Sequence, residues 1–127
     1  MTAWYASRES YRAVWKTAYE ADPPIPLNLD IELASVCDLN CGFCFIADKN
    51  FDSFIAGKSA DGKSRRRLMP TEMAMRLIDE ATQLGVPALK ANWRGESTLH
   101  PDYSRILAYA RGKIVDPAGW AMSGCFA

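Results

Sequence analysis

Residues 27–44 read LNLDIELASVCDLNCGFC, and this stretch sets the expected fold. Its first half alternates without a break. Leu27, Leu29, Ile31 and Leu33 share one face and Asn28, Asp30 and Glu32 the other, which is the period of a half-buried strand. The loop 36–46 leaves from the carboxyl end of that strand. It carries three of the chain's four cysteines, Cys37, Cys41 and Cys44. Parallel α/β folds place their ligand sites at such strand ends.

On the amino-terminal side, residues 3–21 have helical spacing, with Trp4, Tyr11, Trp15, Ala18 and Tyr19 recurring near one face. Pro23-Pro24-Ile25-Pro26 stops that helix and launches the strand over about 27–34. Residues 1–26 therefore read as a helix with a proline-rich lead-in. On the carboxyl side, residues 47–69 form a long loop with room for a short helix around Phe51 to Ile55. Its closing run, Ser64-Arg65-Arg66-Arg67, reads as a solvated face or as a contact for an anionic group.

A helix follows over 71–84. Pro70 suits its first turn, Glu72 complements the positive end of the helix dipole, and Gly85 stands where a helix-ending glycine belongs. Met73, Leu77, Ile78, Ala81 and Leu84 form its apolar stripe. A strand over 87–93 and a helix over 102–111, with Gly112 just past its end, continue the pattern. Strands alternating with helices predict α/β architecture built from parallel βα units.

With 127 residues the chain holds at most one modest domain. Fifteen basic residues balance fifteen acidic ones, which points away from nucleic-acid and acidic-membrane partners. No run approaches the roughly 20 apolar residues of a membrane span. The opening residues lack a basic region followed by an apolar core, so a cytoplasmic location is expected. Thiols stay reduced there, and clustered cysteines more often bind metal than form disulfides.

The number three is informative. A closed structural zinc site takes four ligands, and a disulfide framework takes an even number. A [4Fe–4S] cube held by three thiolates keeps one iron open, as a metal needs if it is to activate a small molecule. Three other readings stay open. One is a zinc-binding interaction module using the trio with Cys125 or His100. Another is a metal-free group of buried or redox cysteines, and the third is a non-catalytic fragment that still binds a cluster. Cys125, near the end of the chain, reads as incidental.

The spacing of Cys37, Cys41 and Cys44, C-x3-C-x2-C with Phe43 before the last cysteine, resembles the signature of the radical S-adenosylmethionine superfamily. The segment Lys90-Ala91-Asn92-Trp93-Arg94-Gly95-Glu96-Ser97-Thr98-Leu99-His100-Pro101 resembles it again. The family's second strand ends in a Gly-Gly-Glu-Pro motif followed by a Leu-His-Pro-like turn. Gly95 and Glu96 match its middle, while Arg94 replaces the first glycine and Ser97 the proline.

The resemblance implies an incomplete (β/α) partial barrel of the TIM type, its core spanning 27–127. Cys37, Cys41 and Cys44 would ligate a [4Fe–4S] cluster. Phe43 would lie near the adenine of S-adenosylmethionine, and Gly95 and Glu96 would hold its amino group. The activity implied is reductive cleavage of that cofactor to a 5′-deoxyadenosyl radical, which takes hydrogen from an unidentified substrate. An electron donor such as flavodoxin or ferredoxin is implied as well. Only two βα units are distinct, and Ile114 to Ala127 offers at best a short third strand. A longer enzyme or a partner chain completing the barrel is therefore expected. Alternation puts Lys90, Asn92 and Arg94 on one face of the second strand and Asn28, Asp30 and Glu32 on one face of the first, two faces that would meet if both lie inside a barrel. Glu32 would pair with Lys90 or Arg94. Lys90 and Asn92 either belong to a structural ion pair or line the substrate cavity.

Overall fold

The computed structural model describes residues 8–44, 67–114 and 116–119. Trp4, the helix expected around 51–55, Arg65, Arg66 and Cys125 lie outside the described residues.

The elements run α1 (Arg8–Lys16), α2 (Ala18–Ala21), β1 (Leu29–Asp30), α3 (Thr71–Leu84), β2 (Ala88–Lys90), a 3-10 turn (Ser97–Leu99), α4 (Tyr103–Arg111) and β3 (Asp116–Gly119). The sheet is parallel throughout and ordered β1-β2-β3. Leu29 pairs with Leu89 and Asp30 with Lys90.

The third strand is short, four residues, within the range where the sequence offered at best a short strand. Its register against β2 shifts between Ala88 and Lys90, which face Asp116 and Gly119. Pro117 sits within β3, and proline is tolerated on a strand that borders others on one side only.

Both expected strands are shorter than 27–34 and 87–93. After Asp30 the chain makes one more bond to β2, Ile31 N–H to Lys90 O at 2.9 Å, and then changes partner. Met69 N–H donates to Leu33 O at 2.8 Å and Ser35 N–H to Arg67 O at 2.9 Å. Ala34 thus bridges Leu68 in antiparallel sense, which takes residues 33–35 away from the parallel ladder.

One main core holds the sheet to α3 and α4. Ile31, Leu33, Leu89 and Ala91 pack against Ala74 and Ile78 of α3 and Ile106 and Ala110 of α4. Both helices thus cover the same face of the sheet. On α3 the buried positions are Ala74, Ile78 and Ala81. The expected stripe is corrected at its edges, because Met73 and Leu84 are exposed. The helix turns about 100° per residue, so a stripe centred on 74, 78 and 81 leaves position 73 on its flank. Leu84 falls in the last turn. There Gly85, at φ +80°, ends the helix. Val86 N–H returns to Ala81 O and Gly85 N–H to Thr82 O, satisfying the final carbonyls.

The amino-terminal stripe is also corrected. Tyr11 is buried with Leu27 and Ala88, but Trp15 is 53% and Tyr19 105% exposed. The helix breaks at Thr17, whose N–H bonds Val14 O at 3.1 Å in a tightened turn. The buried line runs through Tyr11, Val14 and Ala18, which leaves Trp15 and Tyr19 one position to its side.

A polar staple joins α3 to α4. Tyr109 O–H donates to the Asp79 carboxylate at 2.9 Å, and Lys113 Nζ donates to Asp79 and, at 3.0 Å, to Tyr109 Oη. Hydrogen bonds from Lys113 and then Tyr109 hold the Asp79 carboxyl below its ordinary 3.8. A carboxyl lowered in the folded state stabilises above its unfolded value and loses that effect as pH falls through the folded one. The difference in thermal midpoint between the wild type and Asp79→Asn is therefore expected at pH 7, shrinking below about pH 4 and vanishing in stronger acid. A pH series of melting curves checks this.

Candidate functional site

The face of the sheet away from α3 and α4 is polar near the carboxyl ends of the strands. Asn28 Nδ2 donates to Asp30, and Asp30 lies 3.8 Å from Lys90 Nζ. Lys90 also stands over the Trp93 ring, 5.4 Å from its centroid. Glu32 pairs with Arg94 and not with Lys90. Arg94 Nε donates to Oε2 at 2.8 Å and Nη2 to Oε1 at 3.0 Å, while Arg94 N–H reaches Oε2 at 3.3 Å. Glu32 raises the Arg94 guanidinium, through these bonds first and its charge second.

The next residues bring the two special segments together. Glu96 N–H donates to Val36 O at 2.8 Å, one residue before Cys37. Gly95 lies flat against the same stem. A Cβ there would stand 2.6 Å from Val36 O and 2.8 Å from the carbonyl carbon of Ala34, and nearer still to Ala34 O. Glycine is needed at this position for close approach. Stem residues 33–36 are thus gripped on one side by 67–69 and on the other by 95–96.

The cysteine loop has its own local order. Cys44 N–H bonds Cys41 O at 3.0 Å, closing a turn with Gly42 and Phe43 at its centre. Leu39 N–H points at Cys37 Sγ from 3.4 Å. Phe43 is 80% exposed, so its ring is open to a ligand. Cys37 and Cys44 are free thiols, and Cys41 is disulfide-bonded. Among the described residues, no three or more His, Cys, Asp or Glu side chains converge on a metal position. Three closely spaced cysteines suit an iron–sulfur cluster by donor type, and Cys41 joins that set once its disulfide is reduced.

Glu96 is buried at 6% exposure and already employed. Its Oε1 accepts Thr98 N–H at 3.1 Å and Thr98 Oγ1–H at 2.7 Å, capping the 3-10 turn. Burial, and then the Glu96 charge, raise the Tyr103 phenol, so that ring stays neutral beside the carboxylate. Ser97 explains its own presence in place of proline: its hydroxyl donates to Ala91 O and folds the turn back on β2.

His100 is a structural tie. It is 4% exposed, with Nε2 2.7 Å from Met69 O and Nδ1 accepting Asp102 N–H at 3.1 Å. That geometry fixes the neutral ring with its proton on Nε2. Both nitrogens are engaged within the protein, which leaves neither for zinc.

Asn92 is the residue whose demand is unmet. Its Oδ1 is buried without a hydrogen-bond partner among the described residues. Asn92→Leu is expected to raise the unfolding free energy by about 1 kcal/mol, since it removes a desolvated acceptor. Urea denaturation of the two proteins measures the difference.

No helix among the described residues is long and apolar enough to cross a membrane. Sought among models of known protein families and among curated proteins, the chain matches none.

Proposed function

We propose that the chain is a radical S-adenosylmethionine domain of the partial-barrel type, acting in the cytoplasm. The observation that carries this reading is the docking of the Arg94-Gly95-Glu96 turn on the stem of the cysteine loop, through Glu96 N–H to Val36 O and the close approach of Gly95. Two motifs about fifty residues apart in sequence meet at the carboxyl ends of adjacent parallel strands, where α/β proteins bind ligands. The order β1-β2-β3 with both crossover helices on one face supports a singly wound, barrel-like arrangement.

Cys37, Cys41 and Cys44 would hold the [4Fe–4S] cluster, with Cys41 released from its disulfide by cytosolic reductants. When bound, the cluster supplies the electron that cleaves S-adenosylmethionine. The protein's part is ligation, orientation and exclusion of water. Phe43 offers an exposed ring to the adenine. Gly95 presents its backbone to the amino group, and Glu96 shapes that backbone by capping the turn it starts. Lys90, partly exposed beside Asp30, would be the side chain that meets a substrate on the polar side of the sheet, with the buried Oδ1 of Asn92 behind it.

Anaerobic reconstitution with ferrous iron, sulfide and a thiol reductant tests the proposal. About four irons per chain are expected in the wild type and a large loss in each of Cys37→Ser, Cys41→Ser and Cys44→Ser. Dithionite with S-adenosylmethionine should then yield 5′-deoxyadenosine. Zinc bound without iron or sulfide would overturn the proposal in favour of an interaction module. Iron and sulfide bound without 5′-deoxyadenosine would leave a non-catalytic cluster-binding fragment. Within an active preparation, Lys90→Met separates the two readings of that side chain. Turnover lost with cluster and cofactor binding intact assigns it to the substrate.

A further inference from the structure

We infer that Arg94 and Glu32 are positioning residues, which lock the Gly95–Glu96 turn onto the cysteine loop; their catalytic meaning rests on the proposed function. Glu32 lies two residues past β1 on the strand's polar face and five before Cys37. Its carboxylate receives three donors from Arg94: Nε at 2.8 Å, Nη2 at 3.0 Å and the backbone N–H at 3.3 Å. The guanidinium fork fixes direction as well as distance, which a lysine ammonium does not do. The backbone N–H makes the tie specific to the turn, because it orients the peptide plane leading into Gly95.

The magnitudes separate positioning from stability. Arg94 is about half exposed, and ion pairs of that kind contribute little to folding. The contacts it directs are of another order. Gly95 meets the carbonyls of Ala34 and Val36 with no room for a methyl group, so a small drift of residue 94 separates or jams the two segments. A flexible residue at 94 would remove that direction from the approach and leave the bond from Glu96 N–H to Val36 O without it. The fork therefore trades backbone freedom for a fixed spacing between the cysteine loop and the turn.

Two measurements on the full chain test the inference. The first needs no metal: the rate of maleimide alkylation at Cys37 and Cys44, read by peptide mass, in the wild type, Arg94→Met, Arg94→Lys, Glu32→Gln and the charge-swapped Arg94→Glu/Glu32→Arg. Denaturant curves on the same proteins give each variant's global stability. Expected is an increase of about fivefold or more in Arg94→Met and Glu32→Gln beyond what the change in global stability explains. Arg94→Lys should be intermediate, with partial recovery in the swap. Rates that track global stability alone would overturn the inference.

The second uses protein reconstituted with iron and sulfide and titrates S-adenosylmethionine against the electron paramagnetic resonance spectrum of the reduced cluster. Iron content should be unchanged, with the half-saturating concentration raised about tenfold in Arg94→Met and Glu32→Gln. An unchanged half-saturation also overturns the inference. A wild type that takes up no iron instead sinks the proposed function, while the alkylation rates still decide the positioning role.

Discussion

Gly95→Ala is expected to lower the unfolding free energy by about 3 kcal/mol, the upper end for forcing atoms into a packed site. The added methyl group would meet Ala34 and Val36 at backbone atoms, which cannot swing aside as a side chain can. Relief requires the turn and the stem to part, which breaks the bond from Glu96 N–H to Val36 O and leaves both groups unpaired. A small α/β domain has roughly 5–15 kcal/mol in total, so much of its stability would go at once. Chemical denaturation should show the midpoint falling with little change in slope. Thiol alkylation should show Cys37 exposed even in the variant's folded fraction. A variant as stable as the wild type, with Cys37 equally protected, would mean that the turn does not rest on the stem.

His100→Ala should cost a similar amount, about 3 kcal/mol, by a different route. The ring joins three segments: its own turn, Met69 at the return of the long loop, and Asp102 at the start of α4. Truncation strands Met69 O and Asp102 N–H and leaves a cavity where the ring was. A neighbouring bond, Thr71 Oγ1 to Asp102 Oδ2 at 2.6 Å, limits the damage and keeps α3 near α4. Hydrogen exchange should therefore quicken most in residues 67–69 and 100–103, with α3 less affected. Uniform loss of protection, or none, would contradict this account.

The parts of this structure legible in the sequence are those governed by local chemistry. Helix α3 was bounded by Pro70 and Gly85, one preset for a helix start and the other for a left-handed end. Alternation put Asp30 and Glu32 on one face of the first strand and Lys90 and Arg94 on one face of the second, and these side chains do meet, while Leu27, ahead of β1, leaves the pattern to pack with Tyr11 and Ala88. What could not be read was pairing over distance. Nothing in Arg67-Leu68-Met69 announces that it will draw residues 33–35 out of the parallel ladder, since three residues carry no periodicity. The break at Thr17 was hidden for a related reason. An aromatic stripe suggests burial, but a single hydroxyl residue competing for the helix carbonyls decided where it stopped.

At the site, the sequence singled out Gly95 only as a candidate for holding a ligand; its tight approach to the carbonyls of Ala34 and Val36 was not read there. The same reading set Glu96 aside for a ligand and missed that a threonine two residues on would claim its carboxylate. A Glu-x-Thr step just before a turn was the available signal, as a capping pattern. Ser97 offered a similar hint, being a small hydroxyl residue in a place where proline would end the strand.

The antiparallel bridge between Ala34 and Leu68 acts as a neck. Ser35 and Arg67 are joined there by three hydrogen bonds, so two positions 32 residues apart in sequence are fastened together. Closing a longer excursion at such a point costs only about 0.6 kcal/mol for each doubling of its length. A change in the number of residues between Cys44 and Arg67 is therefore expected to cost the frame little, since the bridge that ties Ala34 to Leu68 is the same whatever the length between them.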